Sequence, residues 1–239
     1  MCFYKSCAAG FIMRTNRTDT GKGNPGMGTF RLQLFPLHTV LYPHGLLPLH
    51  IFEPRYRTMI EMCVEHDVPF GIVQIVAGVE SGGKAKTAEV GTVARIQSLT
   101  RLEDGRMLIT TRGEGRFKIL SSAYDGECLT AEVEPLDDQP TPELVLASAT
   151  EESADLPALF DRYHRLLTAS LNAVYDKIDL PGDPELLSWM IPAFLHVPTE
   201  LKQAVLINTS LTERLELVRE LLAEETEKLE DMIREARGE

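Results

Sequence analysis

The hydrophobic repeat of this chain changes once, at "DDQPTPE", residues 137 to 143. Ahead of that Pro-rich acidic stretch, apolar residues alternate with polar ones, as in half-buried strands. Behind it they recur every three or four residues, as on one face of a helix. Two blocks of opposite period in one chain must bury a sheet face first and helical stripes afterwards. The fold class is therefore α+β, with strands and helices segregated along the chain.

In the first block, "FRLQLFPL" and "GLLPLHIF" read as strands, and Pro48 puts the second at a sheet edge or a bulge. "EPRYRTMIEMCVEH" reads as one early helix, with Pro54 in its first turn and Tyr56, Met59, Ile60 and Cys63 on its apolar face. "PFGIVQIVAG" is apolar throughout and so is expected to be buried on both faces. "EVGTVARIQSLTRL" and "RMLITTRGE" flank Asp104-Gly105, a hairpin signal, and "RFKILSSAY" and "ECLTAEVEPL" complete six or seven short strands. This is the pattern of a small closed or half-closed barrel. In the second block, "ALFDRYHRLLTASLNAVY" places Leu159, Tyr163, Leu166, Leu167, Leu171 and Val174 on one stripe. "DPELLSWMIPAFL" opens with Asp183 as N-cap and Pro184 at the first helical position, and "PTELKQAVLI" gives a third helix. The longest helix opens on a Ser210/Glu213 capping box. Its stripe of Leu211, Leu215, Val218 and Leu222 is broken at Glu225 and thins to Leu229 and Met232, so its far end is expected to project. The expected division is a disordered extension (1–28), a β-barrel (29–136), a linker (137–149) and a helical subdomain (150–239).

One stretch imitates a phosphate-binding loop. Gly78, four residues and then Gly83-Lys84 follow an apolar strand. The next residue is Ala85, which has no hydroxyl for Mg²⁺, and "KTAEVGTVARI" alternates like a strand where a helix is required. We expect no nucleotide cofactor. His38, His44 and His50 lie six residues apart with no fourth donor nearby, which is not metal-ligand spacing, and no Ser, Lys or His arrangement marks a catalytic set. Cys2, Cys7, Cys63 and Cys128 form no C-x-x-C pair, which fits a reduced, cytoplasmic protein.

The chain has 239 residues and a formal charge of −12, and residues 150–239 hold 19 acids against 9 bases. That sign argues against nucleic acid and anionic membranes as partners. The exception is the N-terminus, where Lys5, Arg14, Arg17 and Lys22 face Asp19 alone. Its "TNRTDTGKGNPGMG" reads as disordered, and more as an over-extended start ahead of Met27 than as an organellar transit segment.

Three stretches carry a family resemblance: "FPLHTVLYPHGLLPLHIFEPRYRTMIE", "EVGTVARIQSLTRLEDGRMLITTRGEGRFKI" and "DPELLSWMIPAFLHVPTELKQAVLINTSLTERLELVRELLAEE". In that order, from about residue 30 to 236, the chain resembles the N-terminal, substrate-binding domain of Lon proteases. The resemblance implies a PUA-like β-barrel followed by a helical bundle. It also implies a non-catalytic module that recognises unfolded or partly folded polypeptide, as an adaptor or holdase in protein quality control beside a protease or chaperone. No ATPase or protease domain follows before Glu239, so a standalone form is expected. The alternative is RNA binding, which PUA-like barrels also perform and which the acidic balance disfavours. Gripping a polypeptide requires exposed apolar surface or an open strand edge. The Pro48 strand therefore makes Tyr42, Leu46 and Leu47 candidate contacts, although Leu46, Leu47, Leu49, Ile51 and Phe52 read first as core. Glu53, Arg55 and Tyr56 of "FEPRY" are either a helix start, with Arg55 paired to a barrel carboxylate, or the rim of a peptide groove.

Overall fold

A computed structural model describes residues 28–79, 85–126 and 128–237. The expectations for the N-terminal extension and for Gly83-Lys84 fall outside them. The order is β1 (Phe30–Leu37), β2 (Leu46–Ile51), α1 (Pro54–His66), β3 (Phe70–Ala77), β4 (Lys86–Arg101), β5 (Met107–Asp125), β6 (Cys128–Pro135), then α2 (Glu143–Glu152), α3 (Leu156–Ser170), α4 (Pro184–Phe194), α5 (Thr199–Ile207) and α6 (Leu211–Arg237). The sheet runs β2-β5-β4-β3-β1-β6, and a further β5–β6 pairing closes five of the six strands into a barrel. Among the described strands only β1 and β3 run parallel, with α1 in the connection between them.

β5 explains how six strands suffice. Two strands were expected here, "RMLITTRGE" and "RFKILSSAY", but it is one strand bent at Gly113–Gly115. There its register against β4 shifts by one residue, a bulge that re-aims the chain. Residues before the bulge pair with β2 and residues after it with β6. The Asp104-Gly105 turn forms as expected, with Gly105 at φ +79° and the Asp104 carboxylate accepting the Arg106 N–H at 3.1 Å. β3 is buried over its first six residues, as its composition requires. Inside the barrel, Phe117 fills space left by Gly71 and Gly91, where an added Cβ would come within 2.8 Å of its ring.

The helical block departs from expectation in three places. α2 begins inside the expected linker and runs three residues past its end. It begins after Pro142 and carries no regular stripe, and only Ala149 is buried. α3 stops at Ser170, because Asn172 takes a left-handed φ of +51° and the Ala173 N–H folds back to the Thr168 carbonyl at 2.8 Å. Leu171 and Val174 therefore leave the stripe, and Val174 is 89% exposed. α6 does not project from Glu225. Leu229 is buried, Glu230 is ion-paired to Arg162 of α3, and the stripe opens to solvent only at Met232. The caps follow the sequence: Asp183 accepts the Leu186 N–H at 2.9 Å, and Ser210 accepts that of Glu213 at 3.4 Å.

A prediction follows for α6. Leu222 sits in the bundle core with Val218 and Leu215. Leu222→Ala should cost about 2–5 kcal/mol by urea unfolding, and Met232→Ala almost nothing. Equal losses at both would mean that the bundle packs differently.

Candidate polypeptide-binding surface

The turn "LYPHG" between β1 and β2 ties the barrel to the bundle. The His44 N–H donates to the Gly113 carbonyl and the Gly113 N–H to that of Gly45, each at 2.9 Å. Thr92 Oγ1 donates to the Leu41 carbonyl at 2.6 Å. Tyr42 is thereby driven into the bundle. Its ring lies 6.1 Å from that of Trp189, its hydroxyl donates to the Lys202 carbonyl at 2.9 Å, and burial raises its phenol far above the usual range. Tyr42 is a joint between barrel and bundle, and its burial removes it from the candidate contacts.

The other candidates are also redistributed. Tyr56 is buried against Phe35, with ring centroids 4.1 Å apart, and desolvation pushes its phenol up to about 12. The Arg55 guanidinium lies 2.9 Å from Glu53, two residues back, and 4.5 Å above the Tyr56 ring. Glu53, Arg55 and Tyr56 thus meet at the start of α1. Leu47 faces inward with Leu49 onto the core beneath α1. Leu46 has the opposite parity and is half-buried.

That parity identifies the surface that the sequence reading missed. Pro48, His50 and Phe52 alternate with the inward Leu47, Leu49 and Ile51, and the register places Leu108 opposite His50. Phe52 is 53% and Leu108 45% exposed, and the Phe52 ring lies 5.8 Å from the His50 imidazole. Pro48 and Thr110 extend the face along the sheet toward Arg112. Phe52 was assigned to the core on its apolarity. The signal that could have found it is the Pro48/His50 phase, since both sit on the solvent side of the strand. β2 pairs with β5 alone among the described residues, as expected of a Pro-bearing edge strand.

Elsewhere, the motif that imitates a phosphate loop leads from Ala85 directly into β4, antiparallel to β3, so the helix it would need is replaced by a strand. Among the described residues, no three His, Cys, Asp or Glu side chains gather as metal donors. No helix there is long and apolar enough to cross a membrane.

The sequence profile of the ATP-dependent protease La (LON) substrate-binding domain matches residues 31–224. Lon protease 2 of Myxococcus xanthus is 31% identical over 193 residues, which are 80% of this chain and 23% of that protein. Lon protease of Escherichia coli strain K12 is 28% identical over 207 residues, covering 83% of this chain and 25% of that one. The chain thus spans about a quarter of the length of these curated relatives. Among solved structures, the Lon N-terminal domain protein from Xanthomonas campestris superposes with a TM-score of 0.57 at 26% identity, over 81% of this chain and 98% of that one. The N-terminal domain of a Mycobacterium avium complex Lon protease shares the fold, with a TM-score of 0.59 at 18% identity. With a family profile matched over most of its length and the same barrel-plus-helix architecture, this chain belongs to the Lon substrate-binding domain family.

Proposed function

We propose that this chain is a non-catalytic polypeptide-recognition module, an adaptor or holdase, that offers the Pro48–Phe52–Leu108 face to apolar segments of partly folded proteins. The reading rests on one observation: large apolar side chains stand outward at the β2–β5 edge of the sheet in a chain of the Lon substrate-binding family. The edge itself is blunted. Pro48 has no N–H, and a strand tolerates Pro where that nitrogen faces away from its neighbour. A polypeptide laid along β2 would lack a donor at the middle of the strand. Side-chain contact therefore carries recognition, and backbone pairing adds less.

The test is fluorescence anisotropy with a labelled, reduced and carboxymethylated protein that cannot refold. Burying two half-exposed side chains contributes enough that the double variant Phe52→Ser, Leu108→Ser should bind about tenfold more weakly, or about 1.4 kcal/mol. Its melting temperature should be unchanged. Undiminished binding by this variant would remove the face from the proposal. Salt-sensitive, submicromolar RNA binding without polypeptide binding would favour the RNA reading instead.

A further inference from the structure

The β2–β5 face is apolar at one end and cationic at the other. Alternate residues of a strand share a side, and so do residues opposite one another in an antiparallel pair. The register that sets Leu108 opposite His50 and Thr110 opposite Pro48 sets Arg112 opposite Leu46, on that same side. Passing along β5, the face changes from the Leu108 side chain to the Thr110 hydroxyl and then to a guanidinium. Leu108 and Arg112 stand about 13 Å apart on an extended strand.

Arg112 is exposed and forms no ion pair among the described residues. The cations beside it are already paired. Arg95, its cross-strand partner on β4, lies 2.6 Å from Glu114, and Arg106, beyond Leu108, lies 2.6 Å from Asp104. The acids around the face are occupied by the same pairs and by that of Glu53 with Arg55, and Glu103 stands in the hairpin turn. The positive charge of Arg112 is felt in the adjoining turn. Burial lowers the His44 imidazole below its ordinary value, Arg112 lowers it further, and together they outweigh the raising influence of Asp183. In a chain of net charge −12, this end of the face therefore has the opposite sign to the molecule as a whole. Arginine takes a carboxylate through two parallel N–H donors. The same charge opposes a lysine or arginine laid in that place, so it discriminates between segments of equal apolarity.

We infer that the β2–β5 face selects apolar segments that carry an aspartate or glutamate about four residues from their apolar anchor. The inference rests on the polypeptide-binding reading above and names the class of segment that the face takes. The test is titration of the full chain into a fluorescent, unstructured peptide with one Phe-Leu anchor and an aspartate four residues to either side. The control peptide has asparagine in both places. The aspartate peptide should bind about fivefold more tightly, the scale of one partly exposed ion pair. Arg112→Gln should erase the difference and Arg112→Glu should reverse it, whereas Lys118→Gln, which removes an equal charge elsewhere on β5, should preserve it. Positions 112 and 118 are both exposed, so thermal melts should match the parent protein. Equal binding of the two peptides, or a preference that survives Arg112→Gln, would overturn the selection. The apolar reading would still stand if Phe52→Ser with Leu108→Ser weakened both peptides, and would fall by itself if that variant weakened neither. Tighter binding of a single-stranded RNA, lost in Arg112→Gln, would overturn the carboxylate as the group recognised.

Discussion

Replacing Asp138 by alanine is expected to destabilise the protein by about 3 kcal/mol and to lower its melting temperature by about 6–12 °C. Asp138 is the carboxylate shared by two buried guanidiniums, those of Arg116 from β5 and Arg214 from α6. The Arg214 side chain has no solvent exposure and that of Arg116 has almost none. Each cation is otherwise satisfied by neutral oxygens. Arg116 donates to the carbonyls of Leu206 and Asn208 at 2.7 and 2.8 Å, and Arg214 donates to Ser188 Oγ at 2.8 Å and to the Asn208 carbonyl at 3.1 Å. The Trp189 ring lies 3.8 Å from the Arg214 guanidinium carbon and 5.0 Å from that of Arg116. Without Asp138, two positive charges remain in a desolvated site and lose the carboxylate that pairs with both, leaving only the less direct influence of Asp137 and Glu185. Breaking a buried pair from one side costs far more than the intact pair contributes. The carboxylate is itself 28% exposed, which places the loss at the lower end of the range. Cutting the exposed Asp104–Arg106 pair from its cationic side, by Arg106→Ala, should leave the unfolding midpoint where it is, because such pairs contribute little. Urea unfolding of the two variants side by side decides the matter. A negligible loss at Asp138 would mean that water reaches the guanidiniums.

This cluster also shows where reading the sequence stops. Asp183, Ser210, Asp104-Gly105 and the two hydrophobic periods act within a few residues of themselves, and each produced the element expected of it. Arg214 is different. A charged residue between Leu211 and Leu215 reads as a solvated position, and only a carboxylate 76 residues earlier makes its burial tolerable. Tyr42 reads as an exposed turn residue beside a strand edge, and its partner is a carbonyl 160 residues away. α2 is legible in neither period, because a ten-residue helix with a single buried position leaves no stripe. Phe52 was misread for the opposite reason, since its composition says core while the phase of its strand says surface. The barrel, the bundle and their caps are thus local properties of the chain. The joint between them and the face it offers outward depend on pairings that the chain order does not reveal.

Gly113→Ala should be the most damaging single substitution at that joint, and Gly115→Ala, two residues on, should be nearly silent. A methyl group on Gly113 would lie 2.1 Å from the Tyr42 carbonyl oxygen and 3.2 Å from the Leu41 side chain, whereas at Gly115 nothing lies within 4 Å. The obstacle is backbone, so no side-chain rotation relieves it. The 42–45 turn must lift, and it is held to Gly113 by two backbone hydrogen bonds of 2.9 Å. Lifting it strains both bonds and withdraws the Tyr42 ring from Trp189 and its hydroxyl from Lys202. Overpacking alone costs about 1–3 kcal/mol, and each lost buried hydrogen bond about 1 kcal/mol more. A total of about 4 kcal/mol is a large share of the roughly 5–15 kcal/mol that holds a domain together. The chain contains one tryptophan, Trp189, and it stands at this junction, so its fluorescence reports the joint directly. In Gly113→Ala the emission should shift to the red before global unfolding, as the bundle loosens from a barrel that still retains its strands. If Gly113→Ala and Gly115→Ala melted alike with unshifted emission, the turn would not be what couples barrel to bundle. The coupling would then have to lie in the Asp138 cluster and in contacts such as that of Gln203 with the Val90 carbonyl.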